Sequence, residues 1–328
     1  MFRNLGVEQD REGKEVVIAV LESPDPEKVK SYVEFLGHKG DIWTWQLEQL
    51  FGGATGKLIS RIYAALDAKG KLQSAIMTAE AFSLGILGHV YTHPAHRRKG
   101  LCRLLFRFLL ADFERRGGKA LHLGTGYQSL AYRIYESVGF LPIGQTGFMR
   151  YAPNAETFYK RLYGPGPVSV RDATWEDYPV LSDLFLLEDA DPIRLVAFGA
   201  IGVTCLEEKF LLMKRMALQF PESTQMKVLE KSGTNVAVGL ATVFPDARWA
   251  HKSFILDVFV HPKFEAHCRE LISALRFPKG KVLAYRLAAV SGKAAFEEQG
   301  FKIEGSLRAQ LEFQGTERDV EILGRLTR

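Results

Sequence analysis

Cysteine is scarce in this 328-residue chain: Cys102, Cys205 and Cys268 are the only three. Their odd number, wide spacing and lack of a C-x-x-C pair exclude a disulfide framework and a cysteine zinc site, and fit a reducing cytoplasm. No metal is expected. Long apolar runs are also missing. Val16–Leu21 is typical of the longest, far short of the roughly 20 residues a membrane helix needs. The first fifteen residues, MFRNLGVEQDREGKE, are charged and hold no apolar signal core, so a cytoplasmic protein without a membrane partner is expected. Nor is there a large excess of one charge: 43 Lys and Arg stand against 38 Asp and Glu, for a net charge of +5. The basic residues do not cover one long face interleaved with aromatics, which argues against a nucleic-acid partner.

What is present is an ordinary globular composition, 47% hydrophobic and 25% charged, in a chain long enough for two domains. The β-branched run at 15–23 predicts a strand. Helical spacing follows Pro24 and Pro26, and again over 42–51. Strands are predicted at 59–66 and 71–82 around the turn Asp67-Ala68-Lys69-Gly70, and at 86–92. Apolar residues at 101, 104, 105, 108, 109, 110 and 113 mark a helix over 101–115, which Gly117-Gly118 stops. A strand at 120–125, a helix at 129–138 and a returning strand at 140–151 complete the first half. The prolines and glycines of 154–167 read as a linker. The pattern then restarts: strands at 168–171, 225–231, 235–244, 254–260 and 282–287 and later, with helices at 177–187, 207–217, around 264–275 and at 292–299. The expected division is a domain over 1–153, a linker over 154–167 and a second domain over 168–328.

Two segments suggest duplication. Val90-Tyr91-Thr92-His93-Pro94 parallels Val258-Phe259-Val260-His261-Pro262, and Tyr135–Phe140 parallels Phe296–Phe301.

The most informative stretch is ILGHVYTHPAHRRKGLCRLL, residues 86–105. A strand runs through a turn carrying Arg97, Arg98, Lys99 and Arg103 into a long helix. Unpaired N–H groups at a helix start form an anion site that suits phosphate. Gly100 lets the backbone approach it without a Cβ in the way.

This segment resembles the acetyl-CoA signature of the GNAT superfamily of N-acetyltransferases, a strand ending V-x-x-x-P followed by x-x-R-x-x-G-x-G/A at a helix start. Val90, Pro94, Arg97, Gly100 and Leu101 fit it, and Cys102 stands where glycine or alanine is usual. The resemblance implies that backbone groups of Val90 and Thr92 pair with the pantetheine arm, and that the amides of Arg98, Lys99, Gly100, Leu101, Cys102 and Arg103 hold the pyrophosphate. Residues 128–140 are similar to the family's N-x-x-A-x-x-x-Y-x-x-x-G-F, through Ala131, Tyr135, Gly139 and Phe140. Gln128 replaces the asparagine that contacts the cofactor arm. The resemblance makes Tyr135 the acid that protonates the departing CoA thiolate. It implies an α/β fold (an α+β mixed sheet) of two tandem GNAT-like acyl-CoA N-acyltransferase domains, with acetyl-CoA as cosubstrate.

An amine attacks only when neutral, so a proton must leave it. His89 and Glu80 are the candidate bases, with a water chain as the third route. On a regular strand Ile86, Gly88 and Val90 share one face, and His89 points to the other. Trp43 and Trp45 lie where the family's first helices border the acceptor. At i and i+2 they cannot share one helical face. The acceptor is a small-molecule or peptide amine, and the protein a monomer or homodimer. In the second half Glu265 replaces Arg97, Cys268 replaces Gly100 and Phe296 replaces Tyr135. That half is expected to keep the layout and to have lost the cofactor site. The alternatives are a non-catalytic acyl-CoA sensor and the transfer of another acyl group.

Overall fold

The computed structural model describes residues 1–328 apart from 54, 250, 251, 289–292 and 328. The fold is mixed α/β, with two large mixed sheets. The chain divides into two compact units. One holds Met1–Phe158 with Thr174–Ser182, the other Tyr159–Ala173 with Asp183–Arg328. Among the described residues no helix is long and apolar enough to cross a membrane.

In the first unit, β1 (Phe2–Gln9), β2 (Glu15–Glu22), β3 (Ile59–Leu66), β4 (Leu72–Ala81), β5 (Leu84–Thr92), β6 (Ala120–Gly124), β7 (Leu141–Pro142) and β8 (Phe148–Tyr151) form an eight-stranded sheet. Its order is β1-β2-β3-β4-β5-β6-β8-β7. Neighbours are antiparallel except β5 and β6. The predicted strand over 140–151 is two short strands, β7 and β8, separated by a turn. The unit's α-helices to residue 151 are α1 (Val29–Leu36), α2 (Asp41–Phe51), α3 (Leu101–Arg115) and α4 (Leu130–Glu136), with 3-10 turns at Gly37–Lys39 and Pro94–His96. One cluster joins Val16, Ile18, Tyr63, Ile76, Leu87 and Leu121 of the sheet to Leu101, Leu105, Phe106, Leu109 and Phe113 of α3 and to Tyr132 and Tyr135 of α4. Those α3 positions recur at helical spacing, which is why the apolar pattern located the helix.

An ionic network ties α3 to this sheet. The buried Asp112 accepts from Tyr63 Oη at 2.7 Å, Arg116 Nε at 2.9 Å and Arg3 Nη2 at 3.2 Å. Burial acts to raise its pKa, but the hydrogen bonds from Tyr63 and Arg116 outweigh that and hold it at about 2. Its stabilising contribution is therefore complete above the ordinary carboxylate range and is lost as pH falls through about 2.

The segment read as a linker contains a helix, α5 (Glu156–Leu162). Beyond it come β9 (Val168–Asp172), α6 (Asp177–Leu184), the small pair β10 (Ile193–Leu195) and β11 (Ala200–Ile201), and α7 (Glu207–Gln219). The second sheet, of seven strands, comprises β9, β12 (Gln225–Lys231), β13 (Val236–Pro245), β14 (Ser253–Val260), β15 (Gly280–Leu287), β16 (Lys302–Phe313) and β17 (Thr316–Thr327). Its order is β16-β17-β15-β14-β13-β12-β9, with β14 and β15 parallel. The helix expected around 264–275 is a 3-10 turn over Pro262–His267 followed by the six-residue α8 (Cys268–Ser273). α9 spans Lys293–Glu298, and its expected first residue, Gly292, lies outside the described residues.

The paired motifs have matching local geometry. His93 and His261 each cap a 3-10 turn that begins with proline, their Nδ1 atoms accepting from Ala95 N and Lys263 N. Phe140 N donates to the Tyr135 carbonyl at 3.1 Å, and Phe301 N to the Phe296 carbonyl at 3.1 Å.

Candidate functional site

Strand β5 pairs with β6 only over Leu84–Ile86, opposite Ala120–His122. From Leu87 onward β5 keeps β4 on one side and has no β6 pairing on the other, so the sheet opens there. At the same place β5 carries a bulge. Ala75 faces Tyr91 and Met77 faces Gly88, so His89 and Val90 together oppose Ile76. His89 takes a positive φ of 52°. The extra residue reverses the alternation. Val90 packs on the same cluster as Leu87, below α3 and α4. His89 turns to α2, and Tyr91 packs against Phe35 and His38. The face expected for 86, 88 and 90 therefore does not hold through the bulge, because register belongs to the strand pair and not to one strand.

Beyond Thr92 the chain forms a cradle. Arg98 has φ 66° and Gly100 φ 84°, both left-handed, and α3 begins at Leu101. Leu104 N is the first α3 amide bonded back to the loop, to Gly100 O at 3.0 Å. The amides of Leu101, Cys102 and Arg103 precede it and point out of the positive end of a fifteen-residue helix. Arg97 Nε is held by the Thr92 carbonyl at 3.1 Å, and Lys39 Nζ lies 3.4 Å from the Val90 carbonyl. A β-carbon on Gly100 would stand 3.3 Å from Arg11 Cγ. These features suit a diphosphate ester lying on the helix start with its arm along the open edge of β5. Cys102 packs beside the core, where burial pushes its thiol up to about 11. Gln128, with φ 55°, is exposed just before α4, whose cap is Ser129, accepting from Tyr132 N.

The catalytic candidates are not gathered in one place. Tyr135 is 8% exposed, its ring 5.7 Å from Phe106 and 6.1 Å from Phe140. His89 lies with α2. Gln46 Nε2 donates to Tyr178 Oη at 3.4 Å, which turns Gln46 Oε1 toward His89 Nε2 at 2.8 Å. That arrangement makes Nε2 the donor and leaves Nδ1 a bare, buried lone pair. Burial, helped by the Lys39 charge, lowers the pKa of His89 to about 3. Such an imidazole stays neutral near pH 7, and it is a weak proton acceptor toward an ammonium. Glu80 faces Gly85 in the β4–β5 register, three residues or about 10 Å along the sheet from the row of Gly88. Its carboxylate takes Arg61 Nη1 at 2.8 Å, Arg116 Nη2 at 3.0 Å and Thr78 Oγ1 at 2.6 Å. Glu80 therefore belongs to the ionic network of α3. Trp43 and Trp45 diverge, as their spacing requires. Trp43 meets His89 edge-on at 5.6 Å, and Trp45 meets Trp175 at 5.9 Å.

The pKa of His89 has a consequence for stability. Between its ordinary 6.5 and about 3 the unfolded chain binds more protons at this position than the folded one. Stability is therefore expected to fall as pH drops below 6.5, and His89→Gln is expected to flatten that slope. Melting curves from pH 8 to 4 measure it, and an identical slope in both proteins would contradict the assignment.

In the second unit the corresponding loop is built differently. Cys268 has φ −57°, in the right-handed region, where Gly100 is left-handed. Glu265, Cys268 and Phe296 line a cavity of about 60 Å³ with Asp191, Val258 and Arg286. The cradle beside α3 is larger. Gln9, Asp10, Arg11, Lys99, Gly100, Arg103, Leu104 and Arg107 line a cavity of about 360 Å³.

The model of the FR47-like protein family matches residues 66–149, the stretch that contains β5, the loop, α3 and α4. No curated protein matches the sequence. Among solved structures, yncA from Salmonella typhimurium with its cofactor acetyl-CoA is 16% identical, covering 48% of this chain and 93% of that one, with a TM-score of 0.39. The ribosomal-protein-alanine N-acetyltransferase of Brucella melitensis is 19% identical, with coverage of 48% and 99% and a TM-score of 0.36. A GNAT superfamily phosphinothricin acetyltransferase of Sinorhizobium meliloti, in complex with acetyl-CoA, is 18% identical, with coverage of 48% and 87% and a TM-score of 0.35.

Features near the site that were not read from the sequence include β1, the bulge at His89, Arg11 beside Gly100, the Gln46–His89 bond, and the place of Thr174–Ser182 in the first unit. Asp10-Arg11-Glu12-Gly13 is a legible turn signal. Nothing local says which distant loop the turn touches.

Proposed function

We propose that the chain is an acyltransferase that moves the acetyl group of acetyl-CoA to a primary amine, with its site on the first unit. One observation carries this reading. The anion cradle at the start of α3 leads directly to the stretch of β5 that β6 leaves unpaired. The amides of Arg98–Arg103 would hold the diphosphate, and backbone groups of Val90 and Thr92 the pantetheine arm. Acetyl-CoA supplies the activated acetyl group and a thiolate leaving group. Tyr135 delivers a proton to that thiolate, as a phenol can at hydrogen-bonding distance. His89, buried, anchored by Gln46 and held neutral, is a weak proton acceptor, so in this reading the acceptor amine loses its proton to water. Trp43 borders the acceptor beside His89, and Trp45 lines the same helix. The acceptor is a small molecule or a peptide amine.

The second half, 168–328, is a GNAT-like domain without a cofactor site in this reading. Three features support that: the right-handed Cys268, the six-residue helix after it, and Phe296 in place of a phenol. The domain division 1–153, linker 154–167 and 168–328, a cytoplasmic location, and a monomer or homodimer complete the proposal.

Thiol release from acetyl-CoA with a panel of small amines and peptides tests the activity, and calorimetry tests the stoichiometry. One acetyl-CoA per chain is expected. Two would contradict the reading of the second half, and none would end the proposal.

A further inference from the structure

The cavity beside α3 includes Lys99 and Gly100 of the cradle. Its wall is one face of the helix, Gly100, Arg103, Leu104 and Arg107, closed by the turn between β1 and β2. The turn is fastened to the loop twice. Arg11 N donates to Lys99 O at 3.1 Å, and Lys99 Nζ pairs with Glu12 at 2.8 Å. Arg107 is paired with Glu8. Arg11 and Arg103, by contrast, have no carboxylate partner among the described residues. Asp10, the one acid on the wall, is turned back into its own loop, accepting from Glu12 N and Lys14 N. Two guanidiniums without a bonded carboxylate thus line the cavity, on residues that adjoin the first-turn amides of α3. On CoA, the ribose 3′-phosphate lies a few bonds from the diphosphate, and it is a dianion that suits guanidinium forks.

We propose that Arg11, with Arg103, forms a second anion subsite that takes the 3′-phosphate of the cosubstrate and selects CoA esters over 3′-dephospho-CoA esters. This rests on the acetyl-CoA reading above, and the test separates the two.

Calorimetry with acetyl-CoA and acetyl-3′-dephospho-CoA is run on the full chain and on Arg11→Met and Arg11→Lys. The unaltered protein is expected to prefer acetyl-CoA by about tenfold or more, the effect of a charge-assisted hydrogen bond. Arg11→Met is expected to weaken acetyl-CoA by several-fold and to leave the dephospho ester unchanged, so that most of the preference is lost and only the share of Arg103 remains. Arg11→Lys keeps a charge and is expected to keep part of the preference. Added salt is expected to reduce the preference in the unaltered protein. Equal affinities in the unaltered protein would overturn the subsite and leave the acetyl-CoA reading standing. So would an equal loss of both ligands in Arg11→Met. Failure of both ligands to bind the unaltered, folded protein would overturn both readings. Arg11 is exposed on a turn, and matched melting curves establish that the variants fold.

Discussion

Gly100→Val is expected to weaken acetyl-CoA binding about a hundredfold while the protein still folds. Gly100 sits at φ 84° immediately before α3. An L-residue pays roughly 1–2 kcal/mol to enter the left-handed region, and a β-branched side chain is worse placed than most. The new β-carbon would also stand 3.3 Å from Arg11 Cγ and 3.4 Å from Arg11 Nε. Arg11 can move, but the backbone strain relaxes only if the first turn of α3 shifts. That shift moves the amides of Leu101, Cys102 and Arg103, which are the donors proposed for the diphosphate. The cost therefore falls on the site more than on the core, where Leu101 and Leu105 remain packed. Gly100→Asn is the graded control, since asparagine tolerates this conformation better than valine. Equilibrium binding of acetyl-CoA, with melting curves for each variant, checks the order glycine, asparagine, valine. A valine variant that binds as tightly as the unaltered protein would remove the cradle from the proposed site.

Tyr135→Phe is expected to lower turnover by about 10²–10⁴-fold, the usual contribution of a positioned acid, with acetyl-CoA affinity nearly unchanged. The separation of the two effects is the informative part. The Tyr135 ring packs with Phe106 and Phe140, and phenylalanine fills the same volume, so α4 keeps its place. Only the hydroxyl is lost, and it matters when the thiolate departs. A loss in kcat with unchanged affinity is the signature of an interaction made in the transition state. Tyr132→Phe, three residues earlier on α4, is expected to leave the rate as it was. If Tyr135→Phe turns over normally at saturating substrates, another group or water supplies the proton. If it loses affinity and rate together, Tyr135 is a packing residue.

Local pattern by itself determined much of this protein. The period of the apolar residues over 101–115 placed α3 at Leu101–Arg115. Glycine and proline punctuation located the turn that starts it, and the order of strands and helices gave a mixed α/β layout. The cradle residues were legible for the same reason: a strand, a cationic turn, a glycine and a helix are consecutive in the chain. Tertiary structure decided the rest. β1 escaped notice because it is an edge strand in which Phe2 and Val7 are exposed and only Leu5 packs on the core, so no apolar run betrays it. The bulge at His89 is a mismatch between two strands, so neither strand's pattern contains it, yet it sends His89 to α2 and keeps Val90 with α3 and α4. The burial that strips His89 of basicity comes from its fit against Gln46, 43 residues away, and Gln46 in turn meets Tyr178, 132 residues away. Glu80 looked like a free carboxylate on a strand until Arg61 and Arg116 closed on it. In each case the deciding partner is distant in sequence, and a partner's position is fixed by chain-wide packing, which periodicity does not encode.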